Sequence, residues 1–470
     1  MFRELHGHLF PGDHDEHGAV IAAGICESGR GTRYLARKLF IARDGVDYVP
    51  GKHGYRALSA NFVAQVSNYC ALNKLCYFAI HCHGGRDSVG FSNVDLESHK
   101  RGYPALLDIT DGGPVGALVF AENAAAGEIW TRKGVLPLGS VFVVGLNHER
   151  LLPAPESTEA VPDEIYNRQS LLFGARGQKI LRCAKIGIIG MGGVGSLVSE
   201  WLARLGVGEI VAIDFDKIDL SNKSRVVGAS KWDAIEILLK SKVTVLRSLG
   251  ECLRTRKVAI GRRVAKIANP SILYTAVPGD VVDESIALKL KDADFIFLCA
   301  DTMQSRLVFN ALVHQYLIAG VQIGSKVSVD KDSGQISDIF CVSRLVVPEA
   351  KGGCLWCNQL ISPAKLQEEA VSEEQRKRQA YVDDPLIHAP SVITLNAVAA
   401  AQAVNEFMFS LVGLHDEEGS QPGYRMATPR ARRWAKVGCA STSSCPQCGE
   451  NKLSIYARGD RGSLPCRTSK

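Results

Sequence analysis

The chain has 470 residues, of which 46% are hydrophobic and 22% are charged, and its formal net charge is +6. This length suits two or three domains, and the apolar content excludes a disordered chain. Because the basic residues are dispersed along the sequence, the small positive charge predicts no nucleic-acid partner.

The sequence contains no recognisable targeting or membrane signal. Its start, Met1–His8, is polar and lacks the apolar core of a signal peptide. No apolar run reaches the roughly 18 residues that a membrane span requires. Four of the 14 cysteines form two C-x-x-C pairs, a spacing that favours metal binding over disulfides in a cytosolic enzyme. We therefore expect a cytoplasmic protein without a membrane partner.

Short apolar runs alternate with turn residues over the first 150 residues. This pattern predicts a smaller mixed α/β domain over residues 1–150. The runs are Val20–Ala23, Tyr77–His81, Val115–Ala121 and Ser140–Leu146.

The N-terminal region carries a candidate metal site. His81 and His83 stand two residues apart on a predicted strand, so both imidazoles face the same side. Asp95 supplies a third ligand and leaves a fourth position for water, as in a hydrolytic zinc site. Glu16 is the candidate general base, and Ser92 is the candidate hydrogen-bond donor to the tetrahedral oxyanion.

The same region resembles the JAB/MPN (JAMM) metalloprotease family, whose members cleave isopeptide or peptide bonds next to ubiquitin-like proteins. The resemblance rests on Ser92-x-x-Asp95 and on Pro104–Asp108. Gly84 stands where a proline usually follows the second histidine, and one extra residue precedes Asp95. A non-catalytic docking module is the alternative. Five further histidines are predicted to lie on the surface: His6, His8, His14, His17 and His99.

Residues 151–164 read L-L-P-A-P-E-S-T-E-A-V-P-D-E. Their three prolines, acidic side chains and small residues predict a linker. This linker would separate the domain over residues 1–150 from a second domain over residues 165–460.

After the linker, the pattern becomes strand, glycine turn, helix and strand. Ile186–Ile189, Gly192–Leu205 and Glu209–Asp214 predict a βαβ unit, and later strands are predicted at Ile272–Val277 and Phe295–Ala300. A βαβ unit predicts a Rossmann-like α/β fold, in which helices cover both faces of a parallel sheet.

The glycine turn contains Gly190, Gly192, Gly193 and Gly195 between the first strand and its helix. These glycines permit a tight turn and let backbone N–H groups approach a phosphate at the helix N-terminus. Asp214 ends the next strand, where it can accept a hydrogen bond from a ribose hydroxyl. Alone, this motif leaves nucleotide, NAD or FAD binding and a simple packing turn open.

The residues after Asp214 argue against a plain oxidoreductase. Asp216, Asn222 and Arg225 follow it closely, and hydride transfer requires none of them near the ribose. Transfer of an adenylyl group requires cations and donors around a triphosphate, with a carboxylate for the metal.

From Tyr166 to about Gly449 the chain resembles the ThiF, MoeB and E1 superfamily of activating enzymes for ubiquitin-like proteins. Besides the glycine turn and D-x-D, the matching motifs include S-N-x-x-R, the lysine helix with Asn269-Pro270, and Ala300-Asp301-Thr302. The resemblance implies ATP and Mg²⁺ as cofactors. It also implies these roles: Asp214, with Asp216 beside it, at the ribose; Asn222, Arg225 and Lys257 on the phosphates; Asp301 on Mg²⁺; and Arg168 completing the ATP site of a second protomer.

The two C-x-x-C pairs are Cys354-Leu-Trp-Cys357 and Cys445-Pro-Gln-Cys448. Four thiolates suit tetrahedral Zn²⁺ in a closed structural site. The family resemblance implies the same site.

Two features depart from the family pattern. Relative to the simplest family members, the chain has an insertion of about twenty residues between Gly228 and Lys257. We expect it to form an amphipathic helix that covers the ATP site or docks a partner. The alternative is a surface loop without such a role. No cysteine lies between Cys357 and Cys439, where thioester-forming relatives place their nucleophile. Cys341 and Cys439 are more consistent with bystander thiols, so the enzyme is expected to stop at the acyl-adenylate.

Taken together, the sequence predicts ATP-dependent adenylation of the C-terminal carboxylate of a ubiquitin-like protein, fused to a metal-dependent deconjugating activity. The expected partners are a ubiquitin-like or sulfur-carrier protein, a second copy of the chain, and an E2-like conjugating protein. The alternatives are a sulfur-carrier or peptide adenylyltransferase, a flavin or NAD oxidoreductase, and a non-catalytic scaffold.

Overall fold

The computed structural model describes residues 1–13, 15–49, 56–156, 164–329, 335–349, 353–370, 390–416 and 423–467. His14 and residues 157–163 of the predicted linker lie outside the described residues. The chain forms two compact units. The first contains Met1–Glu159, Gln315–Leu317 and Gly449–Ser463, and the second contains Ala160–His314, Ile318–Cys448 and Leu464–Lys470.

The first unit is built on a six-stranded sheet in the order β2-β1-β3-β4-β5-β6, with a separate β7-β8 hairpin. Strands β3 and β4 pair in parallel, and the other neighbours in the sheet pair antiparallel. Its helices are α1 (Phe2–Leu9), α2 (Ala60–Asn73) and α3 (Asn93–Ile109), and its strands are β1 (Gly18–Ser28), β2 (Gly31–Ile41), β3 (Cys76–Cys82), β4 (Val115–Phe120), β5 (Ala125–Thr131), β6 (Gly134–Leu138), β7 (Val141–Val144) and β8 (His148–Leu151).

Both faces of this sheet are buried, because side chains alternate along each strand. Ile21 of β1 joins the cluster that contains Leu5 and Leu9 of α1. Val20, its neighbour, joins a second cluster with residues of α2 and α3, including Phe62. The mixed α/β organisation predicted for this region is confirmed. Two of the predicted apolar runs lie within β1 and β3, and the other two contain β4 and β7.

The segment Gly449–Ser463 belongs to the first unit although in sequence it lies between two parts of the second unit, Ile318–Cys448 and Leu464–Lys470. Gly459 forms a parallel bridge with Ile25 at the end of β1. The buried Arg37 guanidinium donates to the carbonyl oxygens of Asn451 at 3.2 Å and Ser454 at 3.1 Å, and also to that of Tyr456. The domain boundaries expected from the linker remain proposals.

The second unit contains an eight-stranded sheet in the order β11-β10-β9-β12-β13-β14-β15-β16. The first five of these strands are parallel, and β14, β15 and β16 are added antiparallel. Its strands are β9 (Lys185–Ile189), β10 (Glu209–Ile213), β11 (Leu273–Val277), β12 (Phe295–Leu298), β13 (Ala319–Val329), β14 (Ile336–Val346), β15 (Tyr424–Thr428) and β16 (Arg433–Val437), and its helices are α4 (Asn167–Cys183), α5 (Gly193–Arg204), α6 (Glu236–Leu239), α7 (Thr244–Leu253), α8 (Lys257–Ala268), α9 (Glu284–Ala287), α10 (Met303–Tyr316), α11 (Pro363–Ala370) and α12 (Ile393–Val412).

The predicted βαβ unit is confirmed, since β9, α5 and β10 match it to within one residue at each end. The predicted strands at Ile272–Val277 and Phe295–Ala300 correspond to β11 and β12. The five parallel strands give the Rossmann-like sheet that was expected, but the three antiparallel strands at its edge were not predicted.

The sequence predicts no apolar run long enough to span a membrane, and α12 is the helix that bears on this expectation. Among the described residues, this 20-residue helix is long and apolar enough by length and composition alone. Half of its apolar window is buried, and Phe407 contacts Phe295 and Phe297 of the sheet. These contacts are those of a core helix of a globular protein. Core helices can be as long and as apolar as membrane-spanning helices.

Candidate functional site

Three parallel strands bring their carboxyl ends together in the second unit. Ile189 of β9 pairs with Ile213 of β10 on one side and with Leu298 of β12 on the other. Gly190, Asp214 and Cys299 therefore follow at one level of the sheet. Because β9 begins the unit and its two neighbours lie on opposite sides, this edge is a topological switch point, where open α/β sheets bind ligands.

The glycine turn fits tightly between β9 and α5. Gly190 has φ +92°, a conformation that favours glycine, and a Cβ at that position would press on the backbone of Ala300. A Cβ on Gly195 would collide with the Gly190 carbonyl. Gly192 caps α5 and has nothing within 4 Å of where its Cβ would stand. Gly190 and Gly195 therefore allow the tight turn, and Gly192 leaves the helix N-terminus open to a ligand.

The Asp214 carboxylate is fixed by backbone donors. Its Oδ2 accepts a hydrogen bond from Met191 N at 2.6 Å, and its Oδ1 accepts one from Asp216 N at 2.7 Å. Burial raises the pKa of Asp214, although Lys257 and these two N–H groups act in the opposite direction. The carboxylate therefore stands beside the glycine turn, where a nucleotide ribose would lie.

Lys257 is the first residue of α8 and is only 8% exposed. Its Nζ lies 2.6 Å from Asp216 Oδ2, and its backbone N–H donates to the Asp216 carbonyl at 3.0 Å. Two contacts thus fix a buried cation at the carboxyl end of β10.

Arg225 and Asn222 stand on the turn after β10. The Arg225 side chain lies against Gly193, within 3.2 Å of where a Cβ on that glycine would be, and its Nη1 donates to Ser221 O at 3.2 Å. Asn222 Oδ1 accepts a hydrogen bond from Asp219 N at 2.8 Å and thereby caps a short 3-10 helix. Arg225 is therefore in the group around the glycine turn, whereas Asn222 has a local capping contact.

Asp301 and Arg168 are both exposed. Asp301 lies three residues after the end of β12. Burial lowers the pKa of Arg306, and the negative charge of Asp301 opposes this shift. Arg168 lies in the first turn of α4. In the described part of the chain, no hydrogen bond or ion pair joins either residue to the glycine turn, Asp214 or Lys257.

Asn396 of α12 was missed by the sequence analysis. It is 2% exposed, and its amide nitrogen occupies the space beside Gly193. Ser325 Oγ donates to its Oδ1 at 2.6 Å, and its Nδ2 donates to Ser391 Oγ at 3.2 Å. No motif signals this residue, because it lies about 200 positions after the turn on a helix that is otherwise apolar.

Sheet, glycine turn and acidic strand end define a nucleotide-binding α/β unit. The chain belongs to the ThiF family, whose sequence profile matches residues 166–447. The resemblance that the motifs indicated is confirmed for this unit. The family match begins at residue 166 and so does not cover residues 1–150, where the resemblance to JAB/MPN proteins lies.

Relatives of known activity match parts of the chain. Molybdopterin-synthase adenylyltransferase of Escherichia coli K12 is 32% identical over 148 residues, which cover 31% of this chain and 52% of that protein. Sulfur carrier protein ThiS adenylyltransferase of E. coli K12 is 25% identical, covering 60% and 94%. Ubiquitin-like modifier-activating enzyme 5 of Gallus gallus is 23% identical, covering 47% and 51%. The chain spans about half the length of the first and third of these relatives.

Among solved structures, E. coli MccB is similar at 16% identity with a TM-score of 0.43, over 92% of this chain and all of that one. A similarity with this TM-score carries no argument about the fold. The fold described above therefore stands on its own strand pairing.

The four predicted zinc ligands lie together in the second unit. Cys354, Cys357, Cys445 and Cys448 place their sulfurs within 4.8 Å of one another. The Cys354 and Cys445 sulfurs are 3.7 Å apart, and those of Cys357 and Cys448 are 3.6 Å apart. A tetrahedral site with Zn–S bonds of about 2.3 Å requires sulfurs about 3.8 Å apart. The donor set and its spacing therefore fit zinc.

The N-terminal candidate ligands also meet. His81 Nε2 lies 3.2 Å from His83 Nε2 and 3.5 Å from Asp95 Oδ1, and His83 Nε2 lies 3.3 Å from Asp95 Oδ2. Tetrahedral zinc with ligand bonds of about 2.0 Å requires separations of about 3.3 Å. Glu16 Oε1 lies 3.8 Å from His83 Nε2, and burial raises the pKa of Glu16. The residues fit a three-ligand site with an acid beside it.

Ser92 positions the aspartate. It is the N-cap of α3 and forms a capping box with Asp95, since Asp95 N donates to Ser92 Oγ at 3.2 Å and Ser92 N donates to Asp95 Oδ2 at 2.7 Å. Ser92 Oγ also donates to Asp95 Oδ2 at 2.7 Å. Burial favours the neutral acid, but bonds from His81 and Ser92 outweigh it and hold the pKa of Asp95 well below its usual range.

Two histidines predicted to lie on the surface are buried. His99 is 7% exposed; its Nδ1 lies 2.7 Å from Glu128 Oε1, and its ring stacks on Tyr103. His17 is 4% exposed, and its Nε2 lies 2.9 Å from Asp13 Oδ1. The prediction failed because each imidazole has a carboxylate partner that compensates for its burial.

The insertion before Lys257 forms α6 and α7. The prediction of an amphipathic helix is confirmed in part, but the chain breaks into two helices at residues 240–243. Val245, Leu249 and Leu253 recur at helical spacing along α7, and all three are exposed.

Neither spare cysteine has the environment of a nucleophile. Cys341 is buried and its thiol donates to Leu395 O at 3.3 Å, while burial raises the pKa of both Cys341 and Cys439. A reactive thiol requires the opposite shift.

Proposed function

We propose that the second unit uses MgATP to adenylate the C-terminal carboxylate of a small ubiquitin-like or sulfur-carrier protein. The observation that carries this proposal is the assembly of the glycine turn, Asp214 and the buried Lys257 at one edge of the sheet. Relatives named as adenylyltransferases support it.

Each residue has a role that follows from its position. The α5 N-terminus, open at Gly192, would receive phosphate oxygens. Lys257 and Arg225 would neutralise the triphosphate, with Asn222 as a further donor, and Asp214 would hold the ribose with Asp216 beside it. Asp301 would hold Mg²⁺, which stabilises negative charge on the phosphates. One carboxylate oxygen of the carrier attacks the α-phosphorus, forms the acyl-adenylate and releases pyrophosphate.

Arg168 has a separate proposed role. It is exposed at the start of α4 and would complete the nucleotide site of a second copy, which makes a homodimer the expected assembly. Because Cys341 and Cys439 lack activated thiols, the reaction would end at the acyl-adenylate. A transfer to an E2-like protein would then require a thiol from that partner.

The test is ATP–pyrophosphate exchange with two probes: the small protein encoded beside the gene, and the sulfur carrier ThiS. Exchange that requires an intact C-terminus on either probe supports the proposal. Asp301→Ala should lower exchange by at least about 100-fold, whereas Glu200→Ala, an exposed-pair control on α5, should not. Exchange that survives Asp301→Ala would overturn the assigned chemistry.

The other functions predict different results. No exchange with either carrier, from folded protein, would favour a non-catalytic scaffold. Absorption at about 450 nm in the purified protein would favour a flavin enzyme instead. Exchange with a short peptide alone would favour a peptide adenylyltransferase.

For the first unit, we propose a metal-dependent peptidase of the JAB/MPN kind that cleaves next to a ubiquitin-like protein. The proposal rests on the spacing of His81, His83 and Asp95, which fits zinc. Zinc there would polarise the scissile carbonyl and acidify water. Glu16 would take the proton from the attacking water. Ser92 would donate to the developing oxyanion once its hydroxyl turns away from Asp95 Oδ2, to which it donates in this structure.

This second activity is tested with a ubiquitin-like protein bearing a C-terminal extension. Glu16→Gln should abolish cleavage and leave bound zinc unchanged, because Glu16 is not among the three ligands. His81→Ala should lose both. Cleavage by the Glu16→Gln variant at the wild-type rate would refute the proposed base.

The four cysteines are proposed to hold a second, structural zinc ion. Their thiolates fill all four tetrahedral positions, so this ion would have no open position for a substrate. Metal analysis should therefore find about two zinc ions per chain, of which Cys357→Ser removes one and His81→Ala the other.

A further inference from the structure

The two cysteine loops of the second unit are tied together by one side chain from α10. Asn310 is fully buried on that helix. Its Oδ1 accepts a hydrogen bond from Leu355 N at 3.0 Å, and its Nδ2 donates to Gln447 Oε1 at 3.3 Å. Leu355 lies between Cys354 and Cys357, and Gln447 lies between the other two cysteines. The side-chain amide of Asn310 therefore contacts both cysteine loops.

We propose that Asn310 is the positioning residue of the cysteine site and fixes the separation of the two loops, so that the four sulfurs stand at metal-binding distances. This inference rests on the proposed structural zinc ion. The loops lie about 90 residues apart in sequence, so each on its own could offer only two sulfurs. Ordering two such loops together costs conformational entropy. Because the buried Asn310 amide already holds both loops, less of this entropy cost remains to be compensated by metal binding.

The surroundings of Asn310 strengthen both of its hydrogen bonds. His314 lies one helical turn further along α10, is fully buried, and has no hydrogen-bond partner for either ring nitrogen in the described part of the chain. Hydrogen bonds in such a water-free region are stronger than on the surface, and leaving one group unpaired there is costly.

A second tie between the loops is more exposed. Asn358 Nδ2 donates to Cys354 O at 2.9 Å and to Ala440 O at 3.1 Å, and Ala440 N donates to Asn358 Oδ1 at 2.9 Å. Water competes for the hydrogen bonds of Asn358, because this side chain is more exposed. Its contact is also with Ala440, which precedes the second cysteine loop and is not part of it. Asn310 is therefore the contact that sets the distance between the cysteine pairs.

The experiment measures zinc affinity by chelator competition in Asn310→Ala, Gln447→Met and the double variant. Asn310→Ala should bind zinc about 10- to 100-fold more weakly, as expected for the loss of a residue that orients metal ligands. Gln447→Met removes only one of the two bonds and should have a smaller effect. If Asn310 acts through Gln447, the double variant should bind no more weakly than Asn310→Ala alone.

Asn269→Ala is the matched control. Asn269 is also a buried asparagine of the second unit, at the end of α8, where its Nδ2 donates to Val207 O at 3.4 Å. This variant should lower the thermal midpoint yet keep wild-type zinc affinity. With Co²⁺ in place of zinc, Asn310→Ala should alter the absorption bands of the thiolate site, and Asn269→Ala should not.

The outcomes separate the two proposals. Wild-type protein without zinc at the cysteines overturns the metal site and this inference with it. Wild-type protein with zinc, together with unchanged affinity in folded Asn310→Ala, overturns this inference alone. If Asn310→Ala does not fold, unchanged affinity and an unchanged Co²⁺ spectrum in Gln447→Met have the same meaning.

Discussion

Lys257 Nζ lies 2.6 Å from Asp216 Oδ2, and the backbone of the same two residues is joined by a hydrogen bond of 3.0 Å. The lysine is buried, whereas the Asp216 side chain is 48% exposed. The carboxylate therefore compensates a cation that would otherwise be buried alone, and it does so from the side that faces solvent. In the proposed function, a triphosphate bound there would offer the lysine a stronger anionic partner.

Lys257→Met should remove that cation and lower ATP–pyrophosphate exchange by at least about 100-fold, because one charge-assisted contact to the phosphates is lost. The side chain keeps most of its length, so folding should be preserved. The control is Lys266→Met on the same helix, an exposed residue whose Nζ donates to Pro270 O. Equal exchange by both variants would contradict the role of Lys257.

Gly192→Ala separates ligand binding from folding. Nothing lies within 4 Å of the new methyl group, so the thermal midpoint should stay unchanged. The methyl group would nevertheless occupy the approach to the α5 N-terminus, and ATP affinity should fall about tenfold or more. Gly195→Ala is the comparison: its methyl group would collide with the Gly190 carbonyl, so it should lower the thermal midpoint as well. Isothermal titration and thermal unfolding measure the two effects, and undiminished ATP binding by Gly192→Ala would rule out the open helix terminus as the phosphate site.

Features that are encoded by residues close together in sequence could be predicted, including the elements that end at the candidate site. The strand, glycine turn and helix around Gly190 are encoded within about twenty residues, and a short apolar run followed by helical spacing predicts them. The C-x-x-C pairs and His81-x-His83 are likewise local, so the candidate ligands could be named. Each of these features is recognisable because neighbouring residues share one task.

Contacts between distant segments could not be predicted. Asn396 reaches the glycine turn from a helix near the end of the chain, and Asn310 joins two loops that are remote from it in sequence. Neither lies in a spaced motif, so only tertiary packing reveals them. The same reason explains His99, whose burial depends on Glu128 in another element.

The insertion should have an acid-sensitive anchor. Asp233 is 4% exposed and accepts hydrogen bonds from Arg263 at 2.8 and 2.9 Å and from Ser230. The Arg263 bond holds the pKa of Asp233 well below its usual range in the folded protein. Its contribution is therefore present above the unfolded pKa of about 3.9 and is lost as pH falls towards the folded pKa.

Asp233→Asn should destabilise the second unit at pH 7 by on the order of 1–2 kcal/mol, because the partly exposed Arg263 is screened by water. At pH below about 3 the difference from wild type should shrink, because Asp233 is then protonated in the unfolded chain and folding must release that proton. Urea unfolding at the two pH values tests this. A difference that stays constant with pH would mean that the charge on Asp233 does not matter.

Arg37 should decide whether the C-terminal segment stays on the first unit. Its guanidinium donates to three carbonyl oxygens of that segment, and burial lowers its pKa. Arg37→Met would keep the apolar stem but leave those carbonyls without their donor, at a cost of roughly 2–4 kcal/mol. The bridge between Gly459 and Ile25 depends on the same segment, so hydrogen exchange at Asp460 N, which donates to Ile25 O at 2.7 Å, should quicken. Lys133→Met, on an exposed turn of the same unit, should leave that exchange unchanged. Protection at Asp460 that is equal in both variants would show that the backbone bridge alone holds the segment.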